Sequence, residues 1–88
     1  MMEDIEKDLR TFVIDNFLFG EEGDLSNDDS FLEKGIIDST GIMELVAHLE
    51  KAYKMNVENR ELIPENLDSI ARVAAFVKKK LGEASRAG

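Results

Sequence analysis

Two stretches of this chain place apolar residues at the same five offsets. Ile42, Leu45, Val46, Leu49 and Tyr53 fall at 0, 3, 4, 7 and 11, and Ile70, Val73, Ala74, Val77 and Leu81 repeat the series. That period traces one face of an α-helix and does not fit the alternation of a strand. Each stretch therefore predicts an amphipathic helix, one beginning after Ser39 and one running from about Asp68 to Lys80. A third stripe, Ile5, Leu9, Phe12, Val13 and Phe17, predicts a helix from Glu3 that stops before Gly20. Three such faces leave water only by packing on one another, so the expected architecture is all-α, a four-helix bundle with three long helices and one short one.

The short element is expected at NRELI, residues 59–63, because the residue before Pro64 is pushed out of helical geometry. Between the first two long helices, residues 20–38 are rich in Gly, Asp, Asn and Ser, yet they contain Phe31, Leu32, Ile36 and Ile37. These four are expected to anchor a long loop on the core. Lys78, Lys79 and Lys80 suit the negative end of the last helix. The small polar residues 82–88 read as a flexible tail, leaving a single domain over 1–81.

A chain of 88 residues buries too little surface for both a large core and a deep active site, which favours carrying or binding over catalysis. It has no cysteine, so disulfides and thiolate chemistry are excluded. Its start, MMEDIEKDLR, is acidic where a secretory signal is basic and then apolar, and a cytoplasmic monomer that does not enter membranes is expected. The net charge of −8 is uneven: residues 1–50 hold 14 acids and 3 bases, residues 51–88 hold 5 acids and 8 bases. Such a field repels nucleic acid and favours partners that present Lys and Arg.

Catalytic arrangements fail on geometry. Ser39 and His48, the single histidine, lie on one predicted helix, about 13 Å apart along its axis and about half a turn around it, so they cannot share a proton. His48 is expected on the solvent side without a functional role. Residues 24–35 approach calcium-loop spacing but have Asp29 where glycine is needed and Gly35 where a bidentate Glu belongs. That loop is expected to be solvated. Ser39 remains. Asp38 or Ser39 can cap the helix that follows, and Asp68-Ser69 opens another helix in the same way. Local sequence does not separate the two serines.

The helix after Ser39 carries a second face, Thr40, Met43, Glu44, Ala47, Lys51 and Lys54, on which Met43 and Ala47 are apolar islands beside the serine. Here the chain resembles the acyl carrier protein family, on Asp38-Ser39, then Glu44-Leu45-Val46 and Leu49-Glu50. The similarity extends from Ile5 to about Val77 and includes the long loop ending in GIID, the short third helix and the acidic charge. It implies a four-helix bundle of acyl-carrier type. It also implies that Ser39 accepts a 4'-phosphopantetheine arm from coenzyme A, with Asp38 shaping the elbow and Ser69 left as a structural cap.

No general base accompanies Ser39, so a separate phosphopantetheinyl transferase must catalyse the attachment. The resemblance implies a stand-alone carrier, not an enzyme, holding acyl groups as thioesters for fatty acid or polyketide-like biosynthesis. Its partners are then the transferase and the acyl-loading and acyl-processing enzymes with basic docking surfaces. Thr40, Gly41, Met43, Glu44 and Ala47 form the expected partner-binding surface, and Ile42, Val46, Leu62 and Ile70 the expected shelter for cargo. Thr40 stands where the family usually has Leu, Gly41 where an acid is common, and Lys51 thins the negative face. An aminoacyl, peptidyl or D-alanyl carrier shares these features. A helical interaction module without a prosthetic group is the alternative from another class.

Overall fold

Helix α1 (Met2–Phe17) ends at a glycine: Leu18 N and Gly20 N both donate to Ile14 O, at 3.2 and 2.9 Å, and Gly20 takes φ +84. The computed structural model describes residues 2–18, 20 and 25–87, with side chains over 5–18, 20 and 25–82. Helix α2 spans Ser39–Tyr53 and closes on Lys54 in the left-handed region at φ +53. Helix α3 is Pro64–Leu67 and helix α4 is Ile70–Ala87. No strand occurs among the described residues. Helix α4 packs against α1, α2 and α3.

The three stripes meet as expected. Ile5, Leu9 and Val13 from α1, Leu45, Val46 and Leu49 from α2, and Ile70, Val73, Ala74 and Val77 from α4 are buried in one cluster. Phe76 joins them although it lies outside the α4 stripe. The loop is anchored by fewer residues than its sequence suggests. Phe31 and Ile37 are each 1% exposed and Ile36 is half-buried, but Leu32 is 51% exposed. Hydrogen bonds supply the rest: Arg10 donates to Leu25 O at 2.9 Å and Asn27 Oδ1 at 2.7 Å, and Ala71 N donates to Asn27 O at 2.9 Å.

Two boundaries differ from expectation. Residues 59–61 form a single 3-10 turn, and the short helix begins at Pro64 instead of ending before it. Proline fits the first helical position because its φ is preset and the amide it lacks would be unpaired there. The last helix continues past Leu81 to Ala87, through the segment expected to be a tail. Gly82 does not stop it, and the Ala, Glu and Arg residues that follow are helix formers. Lys80 is accordingly not in a terminal turn. Its Nζ lies 2.9 Å from Glu61 Oε1 and ties α4 to the 3-10 turn.

Candidate functional site

Asp38 decides where α2 starts. Its backbone is extended (φ −98, ψ −173), its Oδ1 accepts from Gly41 N at 2.8 Å, and its carbonyl accepts from Ile42 N at 2.9 Å. Ser39, the first helical residue, is exposed, and among the described residues no hydrogen bond engages its hydroxyl. Ser69 is the opposite case. It is 3% exposed, and its Oγ accepts from Arg72 N at 3.1 Å at the start of α4. Two Asp-Ser pairs that look alike thus have different uses: one serine caps a helix, and the other has a free hydroxyl.

Ser39 lines an apolar cavity of ≈240 Å³ together with Leu32, Ile42, Met43, Leu62, Ile63, Pro64, Leu67 and Asp68. The loop, α2 and α3 each contribute a wall. Leu32, Met43 and Ile63, 51%, 53% and 40% exposed, are the large apolar side chains that remain in water among the described residues, and all three edge this cavity. Exposed apolar surface gathered at one point marks a place where something docks. Of the residues expected to shelter cargo, Ile42 and Leu62 line the cavity, while Val46 and Ile70 are buried in the general core. Sequence periodicity missed the contribution of Pro64, Leu67 and Asp68, because they are recruited by the position of α3.

Thr40, Met43, Glu44 and Ala47 lie exposed on α2, but Gly41 does not join them. It is buried, and a Cβ there would sit 2.8 Å from both Ile37 Cγ2 and Phe17 Cε1. This glycine lets the end of α1 and the loop close against the first turn of α2, so it serves packing and not the outer surface. His48 is also placed differently. It stacks on Phe12 with ring centres 4.1 Å apart, and its Nε2 is 3.2 Å from Asp8 Oδ2, which also accepts from the Tyr53 hydroxyl at 2.8 Å. These contacts bridge α1 and α2. Burial first, and then Asp8, push the Tyr53 hydroxyl above its ordinary value.

In the acidic loop, Asp24 lies outside the described residues. Asp29 accepts from Ser26 N at 2.8 Å and pairs with Lys34 at 3.4 Å. The Ser26 amide, then Lys34, hold its carboxyl below the ordinary carboxylate value. Among the described residues no three acids or histidines gather as metal ligands.

Comparison with known proteins shows which family the chain belongs to. The family described as the phosphopantetheine attachment site matches residues 18–77. The chain belongs to that carrier family. It is 28% identical over 75 residues to the "Probable acyl carrier protein PigG" of Serratia sp. (strain ATCC 39006), covering 85% of this chain and 86% of that protein. A chain of the solved structure described as "Crystal structure of FAD-dependent dehydrogenase" is 30% identical and superposes with a TM-score of 0.70, covering 78% of this chain and 97% of that one.

As a member of this family the protein is a carrier and not an enzyme, and it bears a covalently attached 4'-phosphopantetheine. The alternative of a helical module without a prosthetic group is thereby set aside. The local chemistry fits such a group. A primary hydroxyl stands free at the N-terminus of a 15-residue helix whose first turn contains no acid, a favourable field for a phosphodiester. No helix among the described residues is long and apolar enough to cross a membrane.

Proposed function

We propose that Ser39 carries the arm, and that the protein holds acyl intermediates as thioesters and presents them to successive biosynthetic enzymes. One observation carries the assignment: Asp38, not Ser39, caps α2, and exposed Ser39 lines the apolar cavity. The bound group supplies the thiol that this cysteine-free chain lacks. For attachment, Ser39 Oγ displaces adenosine 3',5'-bisphosphate from the pyrophosphate of coenzyme A, forming one P–O bond as another breaks. The hydroxyl proton passes to a base of the transferase, since the adjacent Asp38 carboxylate is engaged by Gly41 N. Thr40, Met43, Glu44 and Ala47, exposed on α2, form the docking surface in this proposal, for partners that offer an apolar contact and a cation for Glu44. We assign the carrier to the cytoplasm as a monomer.

The cavity bears on the cargo. An apolar cavity of roughly 150 Å³ takes a benzene ring, so ≈240 Å³ suits a short acyl chain or a small ring more than a long fatty chain. The likeness to an acyl carrier protein supports acyl cargo over aminoacyl, peptidyl or D-alanyl cargo. The matched chain in the dehydrogenase structure is almost wholly covered by part of this small protein, so it is carrier-sized and too short to hold an FAD-binding enzyme. By that likeness, one client of this carrier is a flavin-dependent dehydrogenase, which removes two electrons and two protons from the carried group and delivers them to FAD.

The experiment is direct. The protein is incubated with coenzyme A, magnesium and a broad-specificity phosphopantetheinyl transferase, and the intact mass and the modified peptide are measured. One phosphopantetheine on the Ser39 peptide is expected, with Ser39→Ala keeping its helical circular dichroism and gaining no mass. Attachment retained in Ser39→Ala would sink the assignment. A ligase that loads the arm with an amino acid, and not with an acyl group, would move the cargo to the aminoacyl class.

A further inference from the structure

One wall of the Ser39 cavity is held by hydrogen bonds where burial fails to hold it. Leu32 is half in solvent, so the apolar contact that fixes Phe31 does little for its neighbour. Its backbone is fixed by Asp68 instead. Leu32 N donates to Asp68 Oδ1 at 3.0 Å, Ser30 Oγ donates to Asp68 Oδ2, and Phe31 N donates to Asp68 O at 2.8 Å. Ser30 Oγ in turn accepts from Glu33 N at 3.1 Å. Asp68 is itself tied to α3, donating its own amide to Pro64 O at 3.0 Å, and its neighbour Ser69 caps α4. A single residue therefore joins the loop to two helices. It also lines the cavity alongside Leu32 and Ser39.

We propose that Asp68, with Ser30 as its partner, is a positioning residue that holds Leu32 as the loop-side wall of the cavity and so sets how well a small acyl group carried at Ser39 is shielded. The proposal rests on the assignment of the arm to Ser39. Asp68→Ala removes both side-chain bonds, leaving Leu32 with half its surface in water and its amide unpaired. Asp68→Asn keeps an acceptor for the Leu32 amide and can donate to Ser30 Oγ, so it should restore the wall. Ser30→Ala removes one bond and leaves the Leu32 bond in place. Leu32→Ala removes the wall without touching the clamp and, being at an exposed position, leaves the fold alone.

Two measurements test this. In the protein without its arm, Asp68→Ala should speed amide hydrogen exchange at Leu32 by about tenfold, the equivalent of one lost hydrogen bond, while the amides of Leu45 and Leu49 keep their protection. In protein loaded from butyryl coenzyme A by the transferase, hydroxylamine should cleave the wild-type thioester several-fold more slowly than free butyryl-pantetheine. Asp68→Ala and Leu32→Ala should approach the free rate, Ser30→Ala should fall between, and Asp68→Asn should stay close to wild type. The proposal is overturned if folded Asp68→Ala keeps wild-type exchange and cleavage, if Asp68→Asn behaves like Asp68→Ala, or if the wild-type thioester is cleaved at the free rate. Failure to modify Ser39 at all would remove the attachment assignment instead, and exchange at Leu32 would still decide the clamp.

Discussion

Replacing each of two helical glycines by alanine should change stability in opposite directions. In a helix interior, Gly→Ala is worth about 0.5–1 kcal/mol through the reduced freedom of the unfolded chain. Gly82 has open space where a Cβ would go, with nothing within 4 Å, so Gly82→Ala should realise that gain. At Gly41 the same Cβ would lie 2.8 Å from Ile37 Cγ2 and 2.8 Å from Phe17 Cε1, against an ordinary carbon separation of about 3.5–4.0 Å. Ile37 is fully buried and has nowhere to go, whereas Phe17 sits at the end of α1 and is only half-buried. Relief must come by swinging the Phe17 ring out, so overpacking costs about 1–3 kcal/mol. Set against the propensity gain, Gly41→Ala should lose up to about 2.5 kcal/mol, at roughly 4–8 °C in Tm for each kcal/mol. Urea unfolding followed by circular dichroism reads both variants under one condition. A gain in Gly41→Ala equal to that of Gly82→Ala would show that the approach of α1 to the start of α2 is not a close fit.

Other outcomes follow from the contrast between the serines and from the α4 ion pair. Ser69→Ala should cost about 1 kcal/mol as a lost cap yet leave phosphopantetheine attachment unchanged, the reverse of Ser39→Ala. The Glu61 carboxyl is held below its ordinary value of 4.5 by the Glu58 amide and then by Lys80. Its contribution is therefore complete above that value and is lost as pH falls through the lowered folded value, so Glu61→Gln should flatten the acid limb of a stability titration below about pH 4.5. An unchanged acid limb in Glu61→Gln would mean that the carboxyl is not engaged.

The stripes that built the core were legible because a helix repeats every 3.6 residues and the partner of each face is another face of the same kind. What the sequence did not show depends on contacts across the chain. Whether Asp38 or Ser39 caps α2 turns on one carboxylate rotamer, and the positions of Ile37 and Phe17 explain why residue 41 is glycine. His48 reads as solvent-facing from the sequence because its partners, Phe12 and Asp8, come from another helix. Leu32 reads like its neighbours Phe31 and Ile37, yet the loop turns it outward beside Ser39. Pro64 reads in the sequence as a stop signal, although proline serves equally well as a start.

The departures from the family pattern beside Ser39 now separate. Gly41 faces inward against Phe17 and Ile37, so its expected role is packing and not contact with a transferase, and an acid there would displace that packing. Thr40 is exposed next to the hydroxyl, so it is the residue through which a transferase accustomed to leucine would sense the difference. An added apolar contact of Leu size recovers on the order of 1.4 kcal/mol when only partly buried, about tenfold in kcat/KM. Thr40→Leu should therefore speed modification of Ser39 by a fatty-acid-type transferase about tenfold, with unfolding unchanged. Gly41→Asp should lower stability and give no such gain. Were Gly41→Asp to improve modification while Thr40→Leu did not, the first turn of α2 would have to open toward the transferase, and the inward packing of residue 41 would not describe the state that is modified.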